Sequence, residues 1–340
     1  MKRLEVLFFA LGAALFLLLL RRFGLTSLLD SLTGQGPRFF LILIPTAVSY
    51  LLFCFAWWLT LEPAERSELS FPYLFLVSMA GFSLNYITPF IALGGEPLKM
   101  VILSRKLGRM RGVSSVLAYN ALHVLSHLFV FMAACLLGFW VMEPSPTRAG
   151  GLIGGLLVSA SLAAVLLTCH ERGLAEQVFR VLRRLRLLRA GGATQEQWQE
   201  RLQRYDESVR SFYRTRGRDF WLALTADFFG RSIWTYEVVL MFRNLGQALD
   251  PWRAYFVHSI NSMMMVPTFF VPYELGVKEG AFCLCLKWLG LDPSLGIYVG
   301  VASRVREIIW IAVGLVIMAS LGVKGIPSLA RQTSVPKEGG

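Results

Sequence analysis

Charge is scarce in this sequence. Only 16% of its 340 residues are Asp, Glu, Lys or Arg, against 55% hydrophobic residues and a mean hydropathy of +0.55. That balance excludes an ordinary soluble globular domain. No GxSxG elbow, P-loop, dinucleotide fingerprint or acid-rich metal motif occurs, so the motif-bearing hydrolases, nucleotide-driven machines and prenyl-transferring enzymes find no support. The five cysteines, Cys54, Cys135, Cys169, Cys283 and Cys285, lie in or beside apolar runs without CxxC spacing and read as small packing residues. The expectation for both metal and cofactor is none.

What the sequence has is length of apolar run. A spanning helix needs about 20 apolar residues, and such runs cover roughly 4–20, 39–60, 72–93, 113–142, 149–169, 219–242, 252–271, 279–290 and 295–322. The fold class is therefore all-α, a polytopic membrane helical bundle of about eight membrane segments. Residues 1–323 form one transmembrane domain and 324–340 a disordered cytoplasmic tail. Met1-Lys2-Arg3 and the run after it have the outline of a signal peptide, but Arg21-Arg22 follows with no small-x-small cleavage site, so the run reads as an uncleaved first helix.

The net charge of +12 fits cytoplasmic loops and anionic headgroups better than nucleic acid, for which no motif exists. Lys99, Arg105, Lys106, Arg109 and Arg111 form one basic loop, and 171–218 forms a second, a cytoplasmic helical insertion with an amphipathic stretch at Leu174, Val178, Val181, Leu185 and Leu188. If both termini share that side, the third segment enters and leaves on the cytoplasmic face, and 252–290 dips in from the other. The rival topology has every segment crossing fully and puts the acidic 62–68 loop outside.

The two segments that would re-enter are also the broken ones. Thr88-Pro89 and Gly94-Gly95-Glu96-Pro97 interrupt the first; Pro267, Pro272 and Gly276-Val277-Lys278-Glu279-Gly280 interrupt the second. Each reads proline, leucine-glycine, glutamate. Proline removes a helical hydrogen bond, and paired interruptions in two halves of a membrane chain point to an inverted-repeat transporter site.

Charges inside apolar runs are costly and mark interior surfaces. Asp227 and Arg231 lie four apart and Arg304 and Glu307 three apart, so each pair is expected to meet on one helix face. Arg231 and Arg304 suit a phosphate through their planar donor fork, and Lys99 and Lys278 are expected at the two mouths of a headgroup path. Asn120, His123 and His127 share a face of the fourth span; two histidines without a third ligand favour headgroup hydrogen bonding or interhelical packing over metal. Gly150, Gly151, Gly154 and Gly155, and Gly296 with Gly300, have GxxxG spacing and read as packing surfaces.

Through Thr88-Pro89 to Lys99, then Pro272 to Ala281, then Ser303-Arg304, the chain resembles the flippase-like transmembrane domain of the lysylphosphatidylglycerol synthase family, some stand-alone members of which are linked to hopanoid or glycolipid pathways. The resemblance implies an all-helical domain that moves a lipid between leaflets. The sequence stops short of the extra spans and soluble aminoacyl-transferring domain of the two-domain members, so movement without synthesis is expected. Tyr119-Asn120 and His123 stand where the family is expected to carry an acidic-arginine pair, which points to a different headgroup preference.

The leading expectation is thus a lipid translocase of the bacterial inner membrane, not an enzyme. It would act on a polar or anionic lipid of phospholipid, glycolipid, hopanoid or polyprenyl-phosphate type. Its headgroup path would involve Pro89, Gly94, Gly95, Glu96, Lys99, Asn120, His123, Asp227, Arg231, Pro272, Gly276, Lys278, Glu279, Arg304 and Glu307. Partners would be membrane lipids, lipid-biosynthesis enzymes and further copies of the chain, with no nucleic acid. The alternatives are a membrane enzyme acting on a lipid headgroup through Glu96, His123 or Glu279, and a non-transporting accessory protein that uses its basic 172–218 region.

Overall fold

A chain in hydrocarbon has no water to bond its N–H and C=O groups, so apolar runs must close their hydrogen bonds within themselves. The computed structural model describes residues 36–87, 95–172, 215–268 and 276–322, and among them every regular element is helical. A 3-10 stretch, Gly36–Ile42, leads into α1 (Leu43–Thr60). Then follow a short α2 (Pro63–Glu68), α3 (Phe71–Ile87), α4 (Gly95–Leu107), α5 (Arg109–Val141) and α6 (Pro146–Arg172). The second half holds α7 (Gly217–Ile233), α8 (Thr235–Asn244), α9 (Pro251–Met265), α10 (Val277–Trp288) and α11 (Leu295–Gly322).

The chain is an all-α membrane bundle. Gly36–Thr60, Arg109–Val141 and Pro146–Thr168 are long and apolar enough to cross a bilayer, and α3 is a shorter apolar helix. On α1, Tyr50, Phe53 and Trp57 are buried against the bundle while Ile44, Val48, Leu51 and Phe55 face outward. Both faces are apolar because both neighbours, protein and lipid, are apolar. α11 has ample length at 28 residues, but Arg304, Arg306 and Glu307 interrupt its apolarity at mid-helix.

Contacts at the helix ends fix how the segments run. Lys106, near the end of α4, places its ammonium 3.8 Å from the ring centroid of Tyr73 near the start of α3. Arg111 pairs with Glu68 at 3.0 Å, and Arg66 and Arg216 both donate to the Leu59 carbonyl, at 2.8 and 2.9 Å, and to the Asp219 carboxylate. The α3–α4 hairpin therefore starts and finishes at one end of the bundle, with α2 and the start of α7 beside it. α5 carries the chain to the opposite end. There Phe256 of α9 lies against Gly138, and Arg148 donates to the carbonyl of Trp288, the last residue of α10, at 3.4 Å. The α9–α10 hairpin thus comes in from the other side. This agrees with the re-entrant topology and removes the rival one, because the acidic 62–68 segment shares its end with the basic 105–111 loop.

The halves repeat the same order of helix, interruption, helix and long helix, with starts at Phe71, Gly95 and Arg109 in the first and Pro251, Val277 and Leu295 in the second. They also interlock. α3 packs along α11 and α9 along α5, so each hairpin leans on the long helix of the other half. One core joins α1, α3, α4, α5, α6 and α7, a second joins α5, α6, α8, α9, α10 and α11, and Ala80, Ile87, Ile311, Leu315 and Met318 form a small α3–α11 cluster. Two tight turns need glycine: Gly108 (φ +82°) reverses the chain from α4 to α5, and Gly276 (φ +77°) sets the start of α10.

Two sequence expectations change. The run 219–242 is two helices meeting at Trp234, where a three-residue bond from the Glu237 N–H to the Trp234 carbonyl at 3.1 Å tightens the turn. Among the described residues, Gly150, Gly151 and Gly154 pack against nothing, and of that stripe Gly155 alone meets a neighbour, at Cys135 and Phe131. Gly296 and Gly300, by contrast, seat α11 directly on the Cys283 backbone and on Glu279. The expected first helix at 4–20, most of the 171–218 insertion, Pro89, Gly94, Pro272 and the 324–340 tail lie outside the described residues.

Cysteines introduced singly at the exposed positions Ser67, Lys106 and Arg218 should react with a membrane-impermeant maleimide from one side of the membrane. Those at Asp250 and Asp292 should react from the other. Labelling of Ser67→Cys and Lys106→Cys from opposite sides would show that α3–α4 crosses instead of returning.

Candidate functional site

Each hairpin interruption is flanked by an acidic residue in the first turn of the following helix, where the helix dipole favours a carboxylate. At the first, Glu96 of α4 accepts hydrogen bonds from Lys99 (2.9 Å) and Asn85 (3.1 Å) on Oε1 and from Asn120 (2.7 Å) on Oε2. Asn85 turns its own carbonyl oxygen to the Gly95 N–H at 2.7 Å, closing the hairpin across its interruption. The Lys99 side chain is 1% exposed and runs between aromatic faces, its ammonium 4.7 Å from the Phe82 ring centroid and 5.6 Å from Trp57. Glu96 remains 20% exposed.

Beside this group, α5 and α7 meet through charge. Asp227 is fully buried, with His123 Nδ1 at 2.8 Å from its Oδ2 and the Tyr119 hydroxyl donating to the same oxygen at 3.4 Å. Arg231 lies one turn along α7, its Nε 3.5 Å from Asp227 Oδ1 and its Nη2 donating to the His123 carbonyl at 3.2 Å. The pairing of Asp227 with Arg231 along one helix face is as the spacing requires. Phe53 of α1 sits edge-on to the His123 ring at 5.0 Å and 5.7 Å from the Arg231 guanidinium carbon.

At the second interruption, Glu279 of α10 accepts the Gly276 N–H at 2.9 Å and grips Arg304 of α11 at 2.7 and 3.3 Å. Lys278 pairs with Glu307, Glu307 also meets Arg306 at 3.5 Å, and Arg306 donates to Glu237 of α8 at 3.1 Å. Glu237 is held further by the indole N–H of Trp234 at 2.5 Å and by Thr46 at 3.5 Å. Every ion in this group thus has an opposite charge in contact, as burial in hydrocarbon demands.

The structure therefore gathers the described candidates into two clusters. Gly95, Glu96, Lys99, Asn120, His123, Asp227 and Arg231 share the first, and Gly276, Lys278, Glu279, Arg304 and Glu307 share the second. Two expectations are corrected. Arg304 and Glu307 do not bond each other, because close packing of α11 on α10 brings Glu279 and Lys278 nearer than one helical turn does. Lys99 and Lys278 are buried within the bundle, so neither lies at a mouth. Asn85, Glu237 and Arg306 were not singled out by sequence reasoning. Glu237 and Arg306 carry the same signal as Asp227, a charge in an apolar run, but no opposite charge at helical spacing drew attention to them.

His123 and His127 face different partners: His127 Nε2 is 3.0 Å from the Ser262 hydroxyl of α9. Among the described residues no group of three or more His, Cys, Asp or Glu stands together as a metal cradle.

Two hairpins entering from opposite ends, with ionised networks at their interruptions, define a polytopic membrane protein that holds polar groups inside the bilayer. A sequence model described as the lysylphosphatidylglycerol synthase TM region matches residues 5–319, and the chain belongs to that family. Neither a curated protein nor a solved structure matches it significantly.

Replacing Arg306 by methionine leaves Glu237 without its ion-pair partner in a buried setting. A loss of about 3–5 kcal/mol is expected for breaking such a pair, read as a lower melting temperature of the detergent-purified protein. Adding Glu237→Gln should recover part of that loss. Equal melting of native and single variant would show that the network contributes no stability.

Proposed function

We propose that the protein moves a polar-headed, anionic membrane lipid between the leaflets of a bacterial inner membrane and leaves the lipid chemically unchanged. One observation carries this reading: the two hairpins enter from opposite ends, and each brings a partly exposed glutamate and a helix N-terminus to its interruption inside the bundle. A headgroup crossing hydrocarbon needs fixed dipoles and charges at depth in place of water, and interrupted helices supply them. Glu96 with Asn85 and Asn120 offers exchangeable hydrogen bonds on the first side, while Arg231 and Arg304 supply guanidinium forks suited to phosphate. The basic end of the bundle would face the cytoplasm.

Family membership supports a lipid-related role in the membrane. A second reading, a membrane enzyme, rests on the His123–Asp227 contact at 2.8 Å, the geometry of a general base and the group that orients it. It predicts a chemically altered lipid.

The test is leaflet exchange of a lipid panel in proteoliposomes, with the recovered lipids examined by mass spectrometry. Exchange should be present with the native chain and slower by about tenfold in Glu96→Ala and Glu279→Ala, the effect of about 1.4 kcal/mol. Mass-unchanged lipid would accompany it. A new lipid mass would select the enzyme, and absence of exchange for every lipid from folded protein would reject the translocase.

A further inference from the structure

The translocase reading leaves open what drives a lipid uphill, and this inference rests on that reading. The carboxylates and cations of both clusters stand in opposite-charge contacts that offset one another's charge. Histidine differs, because its ordinary titration falls between pH 5 and 8. His123 is 24% exposed while its partner Asp227 is 0% exposed, so a proton reaching this group meets the ring before the carboxylate. Nδ1 faces Asp227. No described residue hydrogen-bonds Nε2.

We propose that His123 is a proton-binding site that couples lipid movement to proton movement in the same direction, the ring taking up a proton together with an anionic headgroup.

The charge count around the ring supports the coupling. Asp227 and Arg231 from α7 offset each other, as do Glu96 and Lys99 from α4. α1 presents Phe53 to the ring and α5 itself Tyr119, with Asn120 and His127 on the same α5 face; the Cys54 thiol of α1 lies near Tyr119, and Tyr86 of α3 near Arg231. With a neutral ring these described groups sum to zero; with an imidazolium they carry one positive charge. A buried unit charge is unfavourable alone and favourable beside a phosphate. Proton and anion therefore load together and leave together. The proton adds to Nε2 while Nδ1–H stays on Asp227, which orients the ring and offsets the imidazolium; no bond in the lipid is made or broken.

Position adds a second support. One face of α5 carries Asn120, bonded to Glu96 of the first hairpin, then His123, then His127, bonded to Ser262 of the second hairpin. The protonated residue thus stands on the helix that touches both hairpins, where a change of charge acts on their relative positions.

The test uses the full-length protein in proteoliposomes, with fluorescent phosphatidylglycerol as the anionic probe and pyranine trapped in the lumen. With the outside one pH unit more acidic, inward exchange should rise by up to about tenfold, the one-proton limit, and the lumen should acidify as lipid enters. Exchange indifferent to the gradient overturns the coupling but leaves the translocase reading standing; no exchange of any lipid overturns both. Exchange remaining in His123→Gln should no longer respond to the gradient, and a persisting response overturns the assignment to His123. A separate measurement covers an inactive variant: in nanodiscs, the 15N-histidine resonance missing from His123→Gln should titrate at higher pH once phosphatidylglycerol is added. A midpoint unmoved by the lipid overturns the proposal.

Discussion

A charge in hydrocarbon must find its opposite, and much of this bundle follows from that constraint. Asp227 is fully buried beside His123 and Arg231, Lys99 is sealed between Phe82 and Trp57 with its ammonium on Glu96, and Arg306 and Glu237 are each 4% exposed. An unpartnered ion at such depth costs several kcal/mol. Each pair therefore acts as a distance restraint between helices: α4 to α5 through Glu96 and Asn120, α5 to α7 through His123 and Asp227, α8 to α11 through Glu237 and Arg306, and α10 to α11 through Glu279 and Arg304. Apolar packing alone fixes such registers weakly, since lipid tails are as good a solvent for leucine as another helix is.

The same constraint bears on the two hairpins. A hairpin that stops inside a membrane leaves unpaired backbone groups, tolerated only when protein surrounds them. α3 packs on α11 and α9 on α5, so the long helix of one half shields the hairpin of the other. Close approach makes this possible: Gly314 lies against Ser83 of α3, whose hydroxyl reaches the Met79 and Trp310 carbonyls at 3.0 and 3.2 Å. Aromatic rings fill the space between the clusters, with Tyr50 stacked on Phe82 at 5.1 Å and edge-on to Trp310 at 5.2 Å.

Much of this was legible in the sequence because the relevant signals are local. Apolar length gives a helix, Gly276 gives a tight turn at a helix start, and Asp227 with Arg231 gives a paired turn. Partners across helices were not legible. Arg304 looks along its own helix like a match for Glu307, yet the approach of α10 at Gly296 and Gly300 hands it to Glu279. Arg306 and Glu237 are 69 positions apart and carry no mutual spacing signal. The Gly150 stripe misled for the converse reason. Spacing reports that a helix offers a close-packing surface, and among the described residues nothing occupies it at Gly150, Gly151 and Gly154.

The two clusters are alike in position and unlike in chemistry. The second consists of three acid–base pairs knitted across α8, α10 and α11, with Arg306 in contact with two carboxylates. Changing charge there means breaking a closed set of ion pairs. The first contains amides, a phenol and an imidazole among its charges, groups that exchange hydrogen-bond partners at small cost. Its His123 also keeps 24% exposure. A symmetric scaffold with one rigid and one adaptable network favours motion of the first hairpin relative to a firmer second half, because the weaker set of contacts is the one that rearranges. On the proposed reading, the adaptable network is where a headgroup exchanges partners, and the ion-paired one is the frame against which it moves.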